Sequence, residues 1–287
     1  MHLVELLNQL QATFSRNGVE SARLAAELLV SHGLSIRRLE LPLHARREVS
    51  AAEEALLRQR ATRVSSGEPI QYVLGHVDFI GRLFAVDRRV LIPRPETEEL
   101  VEAVSRCIRE HFSSAKTLRG IDVGTGSGCI AVSLACLHRD WQWVAVDCSA
   151  DALDVARENA AAYKASDRIE FVQADLLRGF EPSCAEVVVA NLPYIQTEVC
   201  AELSPVVRDY EPLTALDGGR DGLVLIRRLI DQAYVCLNEM GCIFLEIGYD
   251  QGPEAHILLC DAGFTNVRLL KDLAGHDRIV TGIKKVL

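Results

Sequence analysis

The chain has 287 residues, 49% of them hydrophobic and 25% charged. That is enough for one large domain or a large and a small one, and it excludes a disordered or collagen-like polymer. The net charge of −9 falls on residues 91–287, residues 1–90 being near balance. With only 6% aromatic residues, this argues against a broad phosphate-binding or base-stacking surface.

Residues 2–15 and 19–33 carry apolar positions at helical spacing: Leu3, Leu6, Leu7 and Leu10, then Ala22, Leu24, Ala25, Leu28 and Leu29. Gly18 and Gly33 fall where helices stop, and a third helix is predicted over 51–65. Gly67-Glu68-Pro69 breaks the pattern. Val77-Asp78-Phe79-Ile80, Gly81-Arg82 and Leu83-Phe84-Ala85-Val86 then read as a short hairpin.

From residue 95 the pattern changes. A helix over 97–111 precedes short apolar strands at 118–123, 142–147, 168–173 and 185–190, with helices at 128–138 and 150–163. A helix at 222–238, a strand at 241–247, a helix at 252–262 and strands at 264–270 and 277–283 complete the chain. Alternating strands and helices predict an α/β fold with a parallel sheet and crossover connections. The last two strands lie too close for a crossover, so the final strand is expected to be antiparallel. The predicted organisation is a helical domain over 1–72, a hairpin linker over 73–94 and a main domain over 95–287.

The nine cysteines (107, 129, 136, 148, 184, 200, 236, 242 and 260) contain no CxxC pair, and the eight histidines contain no HxxxH pair. No metal site is expected, and the cysteines read as reduced core residues of a cytoplasmic protein. No run of about 18 apolar residues suits a membrane span. Met1-His2-Leu3-Val4-Glu5 lacks the basic start of a signal peptide.

Strand 118–123 ends in Asp122-Val123-Gly124-Thr125-Gly126-Ser127-Gly128 before a helix. Ligands bind at the carboxyl ends of strands in open α/β sheets, and glycine lets the backbone approach them. The next strand ends in Asp147, placed to accept both ribose hydroxyls of an adenosine. The spacing is GxGxG rather than the dinucleotide GxGxxG, and no Walker lysine follows. Asp122 would oppose a pyrophosphate but suits the ammonium end of an amino-acid cofactor. This is the pattern of S-adenosyl-L-methionine-dependent methyltransferases. Asp175 reads either as an acceptor for the adenine amino group, with Leu176 on the ring, or as a helix N-cap.

Strand 185–190 ends in Asn191-Leu192-Pro193-Tyr194. A planar amide or aryl amine is a poor nucleophile because its lone pair is delocalised. The Asn191 side-chain oxygen can accept one of its N–H groups and a backbone carbonyl the other, while Pro193 holds the turn and Tyr194 packs on the flat group. A plain turn is the alternative.

The sequence resembles the protein-(glutamine-N5) methyltransferases of the HemK/PrmC family, which modify peptide chain release factors. The resemblance spans nearly the whole chain. It rests on Gly67-Glu68-Pro69-Ile70-Gln71-Tyr72-Val73-Leu74-Gly75, Val90-Leu91-Ile92-Pro93-Arg94-Pro95-Glu96-Thr97-Glu98, the 122–128 loop, Tyr210-Glu211-Pro212, Ala215-Leu216-Asp217-Gly218-Gly219, Asp221-Gly222-Leu223 and Glu246-Ile247-Gly248. It implies a helical N-terminal domain that recognises the release factor, and a seven-stranded Rossmann-like methyltransferase domain. It implies methylation of the Gln side-chain nitrogen in a Gly-Gly-Gln motif. By motif match Gly124, Thr125, Gly126, Ser127, Gly128, Asp147, Leu176 and Asn191 would bind the cofactor, with Asp175 a further candidate from its position after the strand. Asn191, Leu192, Pro193 and Tyr194 would hold the glutamine, with Asn191, Pro193 and Tyr194 catalytic. The family usually has Asn-Pro-Pro-Tyr; Leu192 replaces the first proline but keeps the backbone carbonyl and precedes Pro193, so its backbone stays extended. Arg94 reads as a structural clasp. A monomer without stable nucleic-acid or membrane partners is expected. The rival readings are a nucleic-acid amino methyltransferase and a non-catalytic S-adenosylmethionine-binding adaptor.

Overall fold

The computed structural model describes residues 1–112 and 118–286. By contact density the chain forms two units: Met1–His76 with Ser204–Tyr210, and Val77–Leu203 with Glu211–Leu287.

The first unit is helical: α1 (Leu3–Arg16), α2 (Ala22–Leu34), a 3-10 helix (Arg38–His44), α3 (Ala51–Ser65) and α4 (Ile70–Leu74). Leu3, Leu6, Leu7, Leu10 and Phe14 repeat every three or four residues, so α1 buries one stripe against α2 and α3. Helix α3 begins with a capping box: Glu53 N donates to Ser50 Oγ, and Ser50 N donates to the Glu53 carboxylate. The sequence pattern gives no helix at 70–74, but Pro69 starts a helical turn there that buries Tyr72 and Val73.

The hairpin of β1 (His76–Phe79) and β2 (Arg82–Ala85) follows, and from Val77 onward it belongs to the second unit. Its turn, Ile80-Gly81, has positive φ at both residues, as the twist of a two-residue hairpin requires. Helix α5 (Pro95–His111) starts with proline, whose missing N–H costs nothing in the first turn. There follow β3 (Leu118–Val123), α6 (Cys129–Leu137), β4 (Trp141–Asp147), α7 (Ala150–Ala162), β5 (Ile169–Gln173), β6 (Ala185–Ala190) and the short α8 (Thr197–Cys200). Short helix α9 (Pro205–Arg208) belongs to the first unit. The chain closes with α10 (Val224–Cys236), β7 (Leu237–Glu246), α11 (Gly252–Asp261), β8 (Phe264–Lys271) and β9 (Asp277–Lys284).

The strand order is β5-β4-β3-β6-β7-β9-β8. The first five are mutually parallel, and β9 runs antiparallel to both its neighbours, as the short connection required. It inserts between β7 and β8 rather than at the edge. The central strands β3, β4 and β6 are covered on both faces and are therefore mostly apolar, whereas the edge strands β5 and β8 expose polar residues. Trp143, Ala145, Val187 and Val189 pack with α5, α6 and α7. Val144, Val146, Val188 and Ala190 pack on the other face with α10 and α11. Among the described residues no helix is long and apolar enough to cross a membrane, and no group of three His, Cys, Asp or Glu could hold a metal ion. All nine cysteines are free thiols; five are buried, while Cys148 and Cys260 are exposed.

Candidate active site

The chain runs from β3 outward to β4 and β5, then returns to place β6 on the other side of β3. This reversal opens a crevice at the carboxyl ends of β3 and β6, the usual ligand position in such sheets. Val123 and Ala190 are register partners, so the glycine loop and the Asn191 loop emerge side by side.

The amides of Gly124 and Thr125 both donate to Val146 O, at 2.8 and 2.9 Å, and Gly126 N donates to Asp147 Oδ2 at 2.9 Å. Gly124 has φ +75°, and a Cβ there would come within 2.9 Å of the Leu192 side chain. Gly128, at φ +77°, serves packing instead. A Cβ on it would lie 3.0 Å from the Ala156 methyl, so glycine lets α6 approach α7. It does not line the pocket.

Asp122 departs from its expected place at the ammonium end of a cofactor. It is fully buried, and its Oδ2 accepts from Thr125 Oγ1 at 2.6 Å and from Ala131 N at 3.1 Å. It pins the loop to α6 instead of facing an ammonium group. Burial pushes its carboxyl up to about 7, against the pull of those two hydrogen bonds.

The pocket is open to solvent, and about 1010 Å³ of empty space lies in it and at its mouth. Gly124, Thr125, Gly126, Ser127, Asp147, Asp175, Leu176, Asn191, Leu192 and Pro193 all line it. Asp147 accepts from Gly126 N through Oδ2 and from Ser149 N through Oδ1, which fixes the carboxylate at the wall. Asp175 is exposed and pairs with Arg228 at 2.5 Å; its side chain caps no helix. Leu176 has φ +55°, uncommon for a residue with a Cβ, and its buried side chain turns to the pocket.

Asn191 Nδ2 donates to Thr97 Oγ1 at 3.0 Å, and Thr97 Oγ1 donates to Glu246 Oε2 at 2.8 Å. Tyr194 does not reach the pocket wall: its hydroxyl donates to Glu246 Oε1 at 3.4 Å from beneath. Burial raises the Tyr194 phenol, the adjacent Glu246 adding to the effect. The loop is braced by the glycine-rich segment at 215–223. Gly218 N donates to Ile195 O and Ile195 N to Leu216 O, and a Cβ on Gly218 would sit 2.6 Å from Pro193 O.

Arg94 donates to Glu211 Oε1 at 2.5 Å, and Ile92 N donates to Glu211 Oε2 at 3.1 Å. The buried Glu211 thus ties the 92–94 segment to the 211–215 segment, and Val90, Leu91, Pro93, Pro212 and Thr214 line the pocket from these two stretches. Their motifs mark both stretches in the sequence, but nothing there assigns them to the pocket wall. Thr97 and Glu246 likewise stand in the sequence only as motif letters.

A family model described as PrmC N-terminal domain matches residues 5–75, and one described as Methyltransferase small domain matches residues 97–204. The release factor glutamine methyltransferase of Bacillus anthracis is 37% identical, covering 98% of both chains. That of Caulobacter vibrioides is 37% identical over 94% of this chain and 92% of its own. The chain belongs to the release factor glutamine methyltransferase family. Solved methyltransferase structures share the fold of this family member. A methyltransferase from Pyrococcus furiosus has a TM-score of 0.53 at 14% identity, covering 79% of this chain and 99% of its own. The hMettl16 catalytic domain has a TM-score of 0.55 at 17% identity, covering 81% of both chains.

The methyl donor is S-adenosyl-L-methionine, and the pocket fits it. A Cβ on Gly126 would meet nothing within 4 Å, so the loop presents bare backbone to the cavity. Ser127 lines the pocket beside it, with its hydroxyl buried next to the Cys129 thiol. Apolar Val90, Leu91 and Leu176 line the same pocket as the carboxylates of Asp147 and Asp175.

Proposed function

We propose that this protein methylates the side-chain amide nitrogen of the Gln in the Gly-Gly-Gln motif of peptide chain release factors. One observation carries the reading: an asparagine amide, its NH₂ already engaged by Thr97, lines the same pocket as a glycine loop and a strand-end carboxylate. An amide so held offers its oxygen to the N–H of another amide. The names of the full-length relatives support the same substrate.

In this reading Gly124, Thr125, Gly126 and Ser127 present the loop backbone to the cofactor's amino-acid end. Asp147 accepts from the ribose hydroxyls, Asp175 accepts from the adenine amino group, and Leu176 packs on the base. Bound S-adenosyl-L-methionine supplies an electrophilic methyl group. Asn191 Oδ1 and the Leu192 carbonyl each accept one N–H of the glutamine amide, turning its nitrogen lone pair toward the methyl. Pro193 stiffens the turn. Tyr194 supports it through Glu246 and its own ring. Such preset acceptors are worth about 10²–10³ in rate each, and none has to take the proton before transfer. Residues 1–72 recognise the release factor, and the protein works as a cytoplasmic monomer without stable nucleic-acid binding.

The test is methyl transfer from labelled S-adenosyl-L-methionine to purified unmethylated release factor, with the label located by peptide mass spectrometry. Label on the Gln of Gly-Gly-Gln is expected, together with a loss of about 10² or more in kcat for Asn191→Ala. Label on another residue, or on nucleic acid only, overturns the reading.

A further inference from the structure

The geometry points to Thr97 and Glu246 as positioning residues that fix which end of the Asn191 amide faces the substrate. This rests on the proposed glutamine methylation and deepens it.

The three residues meet through the fold, not through sequence. Strands β6 and β7 are parallel neighbours with Ala190 opposite Leu245, so Asn191 and Glu246 leave the sheet side by side. Helix α5 lays Thr97, in its first turn, between them. Thr97 is 2% exposed and Glu246 1%.

The direction of each hydrogen bond follows from counting protons. A carboxylate has none to give, so the single Thr97 hydroxyl proton goes to Glu246 Oε2. Only lone pairs of Thr97 Oγ1 then remain for Asn191, and they accept only from its NH₂. The Asn191 oxygen is thereby turned away from Thr97, with no protein donor among the described residues, in a residue that lines the pocket. A primary amide substrate needs an acceptor there. The flipped amide would set NH₂ against NH₂ and hold nothing.

The relay reverses if Glu246 is protonated. Its carboxyl proton can then go to Thr97, whose own proton turns to Asn191 and favours the amide oxygen. Burial pushes the Glu246 acid up to about 7. The charged and titratable groups facing it are Arg278 from β9 and Tyr194 from the loop, which favour the carboxylate; Glu96 from α5, which opposes it; and the Cys129 thiol at the start of α6. The acceptor is therefore set above about pH 7 and lost below it.

The experiment measures kcat and KM on the full chain with release factor, for wild type, Thr97→Val, Thr97→Ser and Glu246→Gln, between pH 6 and 9. Cofactor Kd and thermal midpoint are measured alongside. Thr97→Val should lower kcat roughly tenfold or more with cofactor Kd within about twofold, and Thr97→Ser should recover most of the loss. Wild-type kcat should rise with one ionisation near pH 7, and Glu246→Gln should abolish that limb. Asp122, also near 7, is intact in Glu246→Gln, which separates the two acids. The Asn191 side-chain NH₂ signal in ¹⁵N NMR should titrate with Glu246 without any substrate. A Thr97→Val kcat equal to wild type overturns the inference, as does an acid limb that survives in Glu246→Gln. If Thr97→Val does not fold, the Glu246→Gln profile decides alone. A wild type that leaves the glutamine unlabelled sinks the proposed function instead.

Discussion

Two acids buried beneath the pocket make stability depend on pH in a direction opposite to ordinary acid denaturation. Asp122 and Glu246 each have a carboxyl near 7 in the folded protein, raised mainly by burial from ordinary values of 3.8 and 4.5. Between pH 4.5 and 7 the folded state therefore binds more protons than the unfolded one. The contribution of each group is fully present below its unfolded pKa and is lost as pH rises through about 7. At 1.36 kcal/mol per pH unit of displacement, the full loss is on the order of 4 kcal/mol for Asp122 and 3 kcal/mol for Glu246. Carboxylates held low by arginine or backbone partners, such as Asp221 at about 2, lose their contribution only below about pH 4, outside this window. The only two tryptophans, Trp141 and Trp143, are both buried on β4. Tryptophan fluorescence under urea thus follows the unit that contains both acids. Asp122→Asn is a fair isostere, because Oδ1 has no partner among the described residues and an NH₂ can stand there while the oxygen keeps Thr125 and Ala131. We expect wild type to lose stability between pH 5.5 and 8 relative to Asp122→Asn, the gap widening by a few kcal/mol. A gap that stays constant across that range refutes the reasoning.

Three further outcomes follow from named contacts. Asp147→Ala should raise the cofactor Kd about 10- to 100-fold by calorimetry, since it removes charged hydrogen bonds; an unchanged Kd would show that the carboxylate does not meet the ribose. Arg94→Met should destabilise the protein by about 3 kcal/mol, because Glu211 is left buried with only the Ile92 amide among the contacts described above, and adding Glu211→Gln should restore most of it. A single-variant cost below about 1 kcal/mol in urea unfolding would remove the clasp. Leu192→Pro should keep kcat for release factor within about fivefold, because the assigned contact is a backbone carbonyl and Pro193 already restrains the residue before it; a larger loss would mean that the leucine side chain against Gly124 orders the loop.

The strand and helix order was legible because the central strands are covered on both faces and read as short apolar runs, while the helices of the first unit and α5 keep a one-sided apolar stripe. The short helices at 70–74, 197–200 and 205–208 have too few residues to carry a period, and their neighbours, not their propensity, fold them. Asp122 shows how a site residue can be misplaced although the signal was present. Ile121 and Val123 pack on the α10 side of the sheet, so period-two alternation sends Asp122 to the α6 side, away from the crevice. A strand-end acid is thus a pocket residue only if its own parity agrees. Asp147 escapes that condition because it stands where β4 ends and its carboxylate turns to the loop amides. Parity says nothing of Thr97 and Glu246, which lie 149 residues apart and meet only because β7 docks beside β6 and α5 crosses above them. Asn191 was readable as a polar amide after a strand. Which atom of that amide faces the substrate is decided by a proton on Thr97, and the position of that proton is set by a carboxylate two strands from the glycine loop.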